Sequence, residues 1–331
     1  MIANTLFRSA PRRLVRPLAF AACLIALSAC DDSKTSQKDQ GQETQSSAEQ
    51  AEVQKYNAYV EVANSVQRSY AEDLSTYKSY IQPVFDRKDK NDNLFFSSSS
   101  TMGRIKDNLD KARAMKPDMA EIDGPAQAYS EALGKADPVD RDMGNYIGAK
   151  TYLSDKGAHG REIQPAYISA MTALAQAQTD YVNAIDAKDR ARIKAEFDKT
   201  EKDTAAYFRI GMVYHIKDSM DLAASFIDGK GLGDKKDPFK ASLDQFGQMA
   251  TGYDNKMREK NKTGCSAIMF EANAYLSTGR QIIQRTEDGS YEKDKQHGSQ
   301  FQLMQSRERE DAKSLMQNYN DMISKLNENQ C

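Results

Sequence analysis

Residues 53–81 read VQKYNAYVEVANSVQRSYAEDLSTYKSYI, with Tyr56, Tyr59, Val60, Ala63, Val66, Tyr70, Leu74, Tyr77 and Ile81 at helical spacing. That spacing predicts one helix of about eight turns with a single apolar stripe, stopped by Pro83. The same period continues along the chain. Ile105, Leu109 and Ala112 mark a helix over 101–115, after a polar loop at 83–100 in which Leu94, Phe95 and Phe96 are expected to tuck inward. Pro117, Pro125 and Pro138 are expected to cut the chain into shorter helices up to Leu153. A long helix near Pro165 carries Tyr167, Ala170, Met171, Leu174, Tyr181 and Ile185. Another over 189–227 carries Ile193, Phe197, Phe208, Met212, Ile216, Leu222 and Phe226. GKGLGDKKDP (229–238) ends it. No proline follows Pro238, so helices over 239–260, 266–286 and 299–328 can run unbroken, the last with Ala312, Leu315, Met316, Tyr319, Met322, Ile323 and Leu326 inward. No period-two run and no Asn-Gly hairpin signal occurs. The expected fold is all-α: a single domain built as an elongated antiparallel bundle of long helices.

Composition agrees. The chain has 331 residues, 39% hydrophobic and 28% charged, with no tryptophan, four cysteines, three histidines and a net charge of −2. These values exclude a disulfide scaffold, a collagen-like chain and a polytopic membrane protein. A mean hydropathy of −0.74 fits amphipathic helices with wide polar faces.

The first thirty residues read as an address. Arg8, Arg12, Arg13 and Arg16 precede the apolar run Leu18–Leu27, which is shorter than the ~20 residues that span a bilayer. Leu27-Ser28-Ala29-Cys30 follows and resembles a bacterial lipobox, which implies lipidation of Cys30 after removal of residues 1–29. Ordinary signal-peptidase cleavage is the alternative. Loss of the four arginines takes the net charge from −2 to −6, which disfavours nucleic acid as a partner. Asp31 and Asp32 resemble an inner-membrane retention signal, implying a periplasm-facing anchor in that membrane. Residues 30–52 are read as anchor and Ser/Gln/Asp-rich tether, too polar to order themselves, and 53–331 as the helical domain.

Three further segments carry a family resemblance: Tyr56-Asn57-Ala58-Tyr59-Val60; Tyr146-x5-Tyr152-x2-Asp155-x4-Gly160-x4-Pro165; and Tyr319-Asn320-Asp321-Met322-Ile323 with Asn327. With the lipobox, they resemble the YiiG-like family of proteobacterial lipoproteins (domain-of-unknown-function family 3829). The resemblance implies a helical periplasmic domain over residues 53–328 and supplies no catalytic residue.

Candidate chemistry is sparse. Gly157-Ala158-His159-Gly160-Arg161-Glu162 is similar to the G-x-H-x-x-E motif of imelysin-like helical proteins, linked to iron or haem handling. That resemblance implies His159 and Glu162 as metal ligands; the alternative is a helix start with an exposed His159. Otherwise no cofactor is expected. His215 shares an apolar stripe with Met212 and reads as a core histidine, and His297 reads as solvated. Asp89–Asn93 starts like a calcium loop but has Leu94 and Ser100 where Gly and Glu are needed. GKGLG (229–233) lacks the Lys-Ser/Thr of a phosphate loop. Glu308 and Glu310 alternate with Arg307 and Arg309, the pattern of a solvated face. The Tyr56, Tyr59, Tyr70, Tyr77 and Tyr80 stripe reads as core packing rather than a sugar- or peptide-binding face. Cys265 and Cys331 are expected to pair in an oxidising compartment. The leading expectation is a non-enzymatic, lipid-anchored binding or scaffolding module with an envelope protein partner. The alternatives are metal or haem handling and a carboxylate-based envelope hydrolase, which requires two facing acids with a shifted pKa.

Overall fold

The structure is a computed structural model that describes residues 40–66, 68–86, 93–96, 98, 100–297 and 306–328, with side chains from residue 48 onward and without that of His297. Among the described residues every regular element is a helix. No helix there is long and apolar enough to cross a membrane. The chain divides into two compact units that meet in sequence between Lys188 and Asp189.

The first unit contains α1 (Gln40–Asn64), α2 (Tyr70–Thr76), a π-helical turn (Tyr77–Ile81), α3 (Gln82–Phe85), α4 (Met102–Ala114), α5 (Ala120–Gly148), α6 (Thr151–Ser154) and most of α7 (Ala158–Lys199). Most of the predicted stripe is buried: Tyr56, Tyr59, Val60, Tyr70, Leu74, Tyr77 and Ile81 are core residues, while Ala63 and Val66 are half-buried. Each large side chain so buried contributes about 1.5–3 kcal/mol. The single long helix over 53–81 is nevertheless broken. Ser69 caps a new start by accepting the Glu72 N–H, the Ser-x-x-Glu pattern of a capping box. The π turn follows because Pro83 has no N–H to donate to Ser79, while the Gln82 N–H reaches back to the Tyr77 carbonyl. Tyr80, expected on the stripe, is 42% exposed.

Two further expectations are corrected. Pro125 and Pro138 do not cut the chain; both lie inside α5. Each removes one backbone hydrogen bond, but Ile122, Ala126, Tyr129, Leu133, Ala136, Met143 and Ile147 bury one continuous face, and tertiary burial outweighs that loss. Helix α1 starts at Gln40, inside the segment read as tether, where Gln, Glu and Ala are good helix formers.

Residues 52–85 run antiparallel to α7. Successive contacts pair Glu52 with Lys188 (2.9 Å), the Tyr59 carbonyl with the Tyr181 hydroxyl (2.6 Å), the Tyr70 N–H with Gln178 (3.0 Å), and Tyr77 with Gln164 (3.1 Å). A buried polar knot ties α1 to α5. Fully buried Lys55 pairs with Asp123 at 2.8 Å, and Asp123 also accepts from the Tyr59 hydroxyl and the Met119 N–H. Burial opposes the Asp123 charge, but the bonds from Lys55, Tyr59 and Met119 prevail and lower its pKa.

The second unit begins within α7 and contains α8 (Ala205–Leu222), α9 (Ala224–Ile227), α10 (Lys236–Asn261), α11 (Ser266–Glu287), α12 (Ser290–His297) and α13 (Arg307–Glu328). The helix predicted over 189–227 is interrupted where Thr204 caps α8 by accepting the Tyr207 N–H. Helix α8 packs against α10, and α11 against α10 and α13. Gly211 makes the α7–α8 contact possible. A Cβ there would stand 3.0 Å from the Phe197 ring and 2.6 Å from the Met249 sulfur. Phe197 therefore settles between Tyr207 and Tyr214, stacked on each with centroids 5.0 and 5.3 Å away. His215 is half-buried beside this stack, and burial lowers its pKa against the opposing pull of Asp218.

Glu308, expected on a solvated face, is buried: Lys295 lies 3.2 Å away, and burial raises its pKa. Nearby, Asp311 accepts from Arg285 (2.7 Å) and from the Tyr291 hydroxyl (2.6 Å). Lys217 and Asp189 form a buried ion pair completed by Arg192 at 3.0 Å. Lys217→Ala leaves the buried Asp189 to Arg192, so it is expected to lower unfolding free energy by about 2–3 kcal/mol in urea titrations. A loss below ~1 kcal/mol would contradict this pairing.

Candidate functional site

The central motif of the sequence folds into one corner of the first unit. Helix α5 ends at Gly148 and α7 begins at Ala158; the short α6 and three left-handed residues, Lys150 (φ 54°), Lys156 (φ 57°) and Gly157 (φ 76°), reverse the chain between them. Asp155 holds the corner. Its carboxylate accepts the Tyr146 hydroxyl at 2.8 Å, the Gly157 N–H at 2.8 Å and the His159 N–H at 3.0 Å. The last two are amides at the start of α7, where a negative charge also meets the positive end of the helix dipole. Desolvation works against the carboxylate, but the His159, Tyr146 and Gly157 bonds outweigh it and hold its pKa below the usual range. Burial first, and then the bond to Asp155, push the Tyr146 hydroxyl up to about 12.

Rings and backbone close around this bond set. Tyr146 packs against Phe85, Tyr152 and His159 at 5.6, 6.5 and 5.2 Å between centroids. Gly160 lies against the face of Phe85, where a Cβ would come within 2.8 Å of the ring. Arg161 donates to the Phe85 carbonyl at 2.6 Å. The Tyr152 hydroxyl accepts the Leu94 N–H at 3.2 Å. Tyr146, Tyr152, Asp155 and Gly160 are thus brought together, each with a packing or capping task.

The structure also brings His159 and Glu162 together, with Nδ1 3.3 Å from Oε2. Sequence spacing missed the third member: Asp142 of α5, whose carboxylate lies 3.9 Å from Nε2. Its only signal is an exposed helical position one turn before Tyr146. The side chains of His159, Asp142 and Glu162 are 44%, 55% and 78% exposed. Among the described residues no group of three or more His, Cys, Asp or Glu is placed to hold a metal ion. Asp73 and Asp140 come within electrostatic reach of each other. Burial chiefly raises the Asp73 pKa, Arg68 opposes, and Asp140 adds to the rise. Asp73 pairs with Arg68 at 2.8 Å, and Asp140 accepts from Ser98 at 2.7 Å.

Cys265 is fully buried at the head of α11, where its N–H donates to Asp254 at 2.7 Å. Cys30, Asp31, Asp32, the Asp89–Asp92 stretch, the His297 side chain and Cys331 lie outside the described residues.

Asp155→Asn keeps the shape and removes the charge, and is expected to cost about 2 kcal/mol at neutral pH. Because the folded pKa is depressed, this stabilisation is present above the unfolded value of about 3.9 and fades as pH falls through the folded value. Urea titrations of both proteins should therefore converge in acid. A constant difference across the acid range would show that Asp155 does not act through its charge.

No curated protein and no solved structure matches the chain. A family model described as a protein of unknown function (DUF3829) matches residues 50–328, which takes in both compact units and the whole of this corner. The chain belongs to that family, DUF3829.

Proposed function

We propose that the protein is a lipid-anchored, periplasm-facing helical binding or scaffolding module of the cell envelope and not an enzyme. The observation that carries the reading is the order of four arginines, a short apolar run and Leu27-Ser28-Ala29-Cys30, with Asp31 and Asp32 favouring the inner membrane. The corner supports it: the carboxylate, hydroxyls and amides gathered there are occupied in joining α5 to α7. Incorporation of an alkyne fatty acid into the wild-type chain in a bacterial host, and none into Cys30→Ser, is the expected result. Equal labelling of both would reject the anchor.

A bridge between Cys265 and Cys331 belongs to the same proposal. An oxidising compartment favours it, and Cys265 is buried at the head of α11.

The His159–Glu162 contact supports one second reading: metal or haem handling at the corner. Native mass spectrometry of the gently isolated protein tests it. Bound metal or haem that disappears in His159→Ala would support this reading, and an unchanged content would reject it.

A further inference from the structure

The corner also presents an unusual outer surface. Residues 93–96 and residue 98 lie against the first unit and are held at Leu94, Phe96 and Ser98. Leu94 donates its N–H to Tyr152, the Phe96 ring meets Tyr167 edge-on at 5.8 Å, and Ser98 donates to Asp140. Phe95, between the two held residues Leu94 and Phe96, is 84% exposed, against the expectation that it tucks in. The Asn93 side chain, 3.0 Å from the Lys150 ammonium, lays this segment on the α6 turn. There Leu153 is 48% exposed. Lys150 and Lys156 bracket it, both exposed. Both also occupy left-handed backbone that glycine would adopt with less strain. Asp155, the one acid on the turn, faces inward to Tyr146 and α7, so the turn itself presents Lys150 and Lys156 outward, while the exposed acids Asp142 and Glu162 stand on the helices that flank it.

We propose that Phe95, Leu153, Lys150 and Lys156 form a reversible contact with an anionic phospholipid surface. An aromatic and an aliphatic side chain suit the boundary between headgroups and acyl chains, and two ammonium groups suit lipid phosphates. The nearness of that surface rests on the proposed Cys30 anchor. Nine residues separate Cys30 from α1, a reach of at most about 30 Å. Because residues 52–85 run antiparallel to α7, the anchored end lies toward Lys188, while the corner lies at Ala158. Thirty helical residues separate these ends, about 45 Å. The corner therefore meets the bilayer only when the first unit lies along it, and the contact holds that orientation. Neither attachment has to be strong, since the anchor raises the local concentration of the second.

The test uses the full mature chain with Cys30→Ser, so that lipidation plays no part. It is mixed with vesicles of phosphatidylglycerol and phosphatidylethanolamine, or of phosphatidylcholine alone. Sedimentation with the anionic vesicles, lost at about 0.5 M salt, is expected. Phe95→Ser/Leu153→Ser is expected to reduce the bound fraction strongly. Lys150→Gly should reduce binding about fivefold, with the positive φ preserved. Circular dichroism verifies that each variant is folded. No binding by the folded parent, or equal binding by the parent and both variants, overturns the proposal. So does a concentration-dependent dimer that Phe95→Ser/Leu153→Ser abolishes, which would make the face a contact between copies. Failure of fatty-acid labelling would remove the anchor and leave this vesicle result intact.

Discussion

The Asp155 carboxylate accepts one hydroxyl and two helix-start amides, and the first unit is arranged around that bond set. Without it the His159 N–H at the head of α7 would lose its carboxylate acceptor, and the Tyr146 hydroxyl of α5 would lose its tie to the turn. Because α7 starts there, Gly160 can lie flat on Phe85, and Arg161 can reach the end of α3. Because Tyr146 is pinned, Tyr152 is placed to receive the backbone of Leu94. At the other end the Lys55–Asp123–Tyr59 knot does similar work between α1 and α5. Between them, a stripe of buried tyrosines fills the interior, with Tyr181 within 6.1 Å of Tyr59 and 5.4 Å of Tyr129 between ring centroids.

The helical period marks most of this interior in the sequence itself. Tyr59, Leu109, Leu174, Ile216 and Leu315 are all fully buried at positions the spacing picks out. Boundaries were less readable. The local cost of proline predicts a break at Pro125 and Pro138, yet α5 carries both because its buried face outweighs two lost hydrogen bonds. Starts were missed at Ser69 and Thr204, where a capping side chain was legible and the continuing apolar stripe masked it. Phe95 and Glu308 were misplaced for a different reason. Composition says what a residue prefers, whereas a partner across the fold, Tyr152 or Lys295, decides where it stands.

The site was legible in the same partial way. Tyr146, Tyr152, Asp155 and Gly160 stood out by spacing alone, but their task as a cap and joint depends on which hydroxyl meets which amide. The His159–Glu162 contact follows from one helical turn, and Asp142 enters only because α5 and α7 are folded back on each other. Asp155, Tyr146 and the amides of the corner are engaged with one another, and the side chains facing outward include Phe95, Leu153, Lys150 and Lys156, together with His159, Asp142 and Glu162. That division of labour suits a module that positions a surface better than one that transforms a bound molecule. It is also why the proposed role is one of attachment and contact within the envelope.

The most direct test of the account is a carboxyl-carbon NMR titration that follows Asp155 in the folded protein. If three hydrogen bonds hold this carboxylate at the start of α7, its midpoint falls clearly below the ordinary aspartate value of about 3.9. A midpoint at or above that value would mean that the cap does not form, and the account of the corner would be wrong.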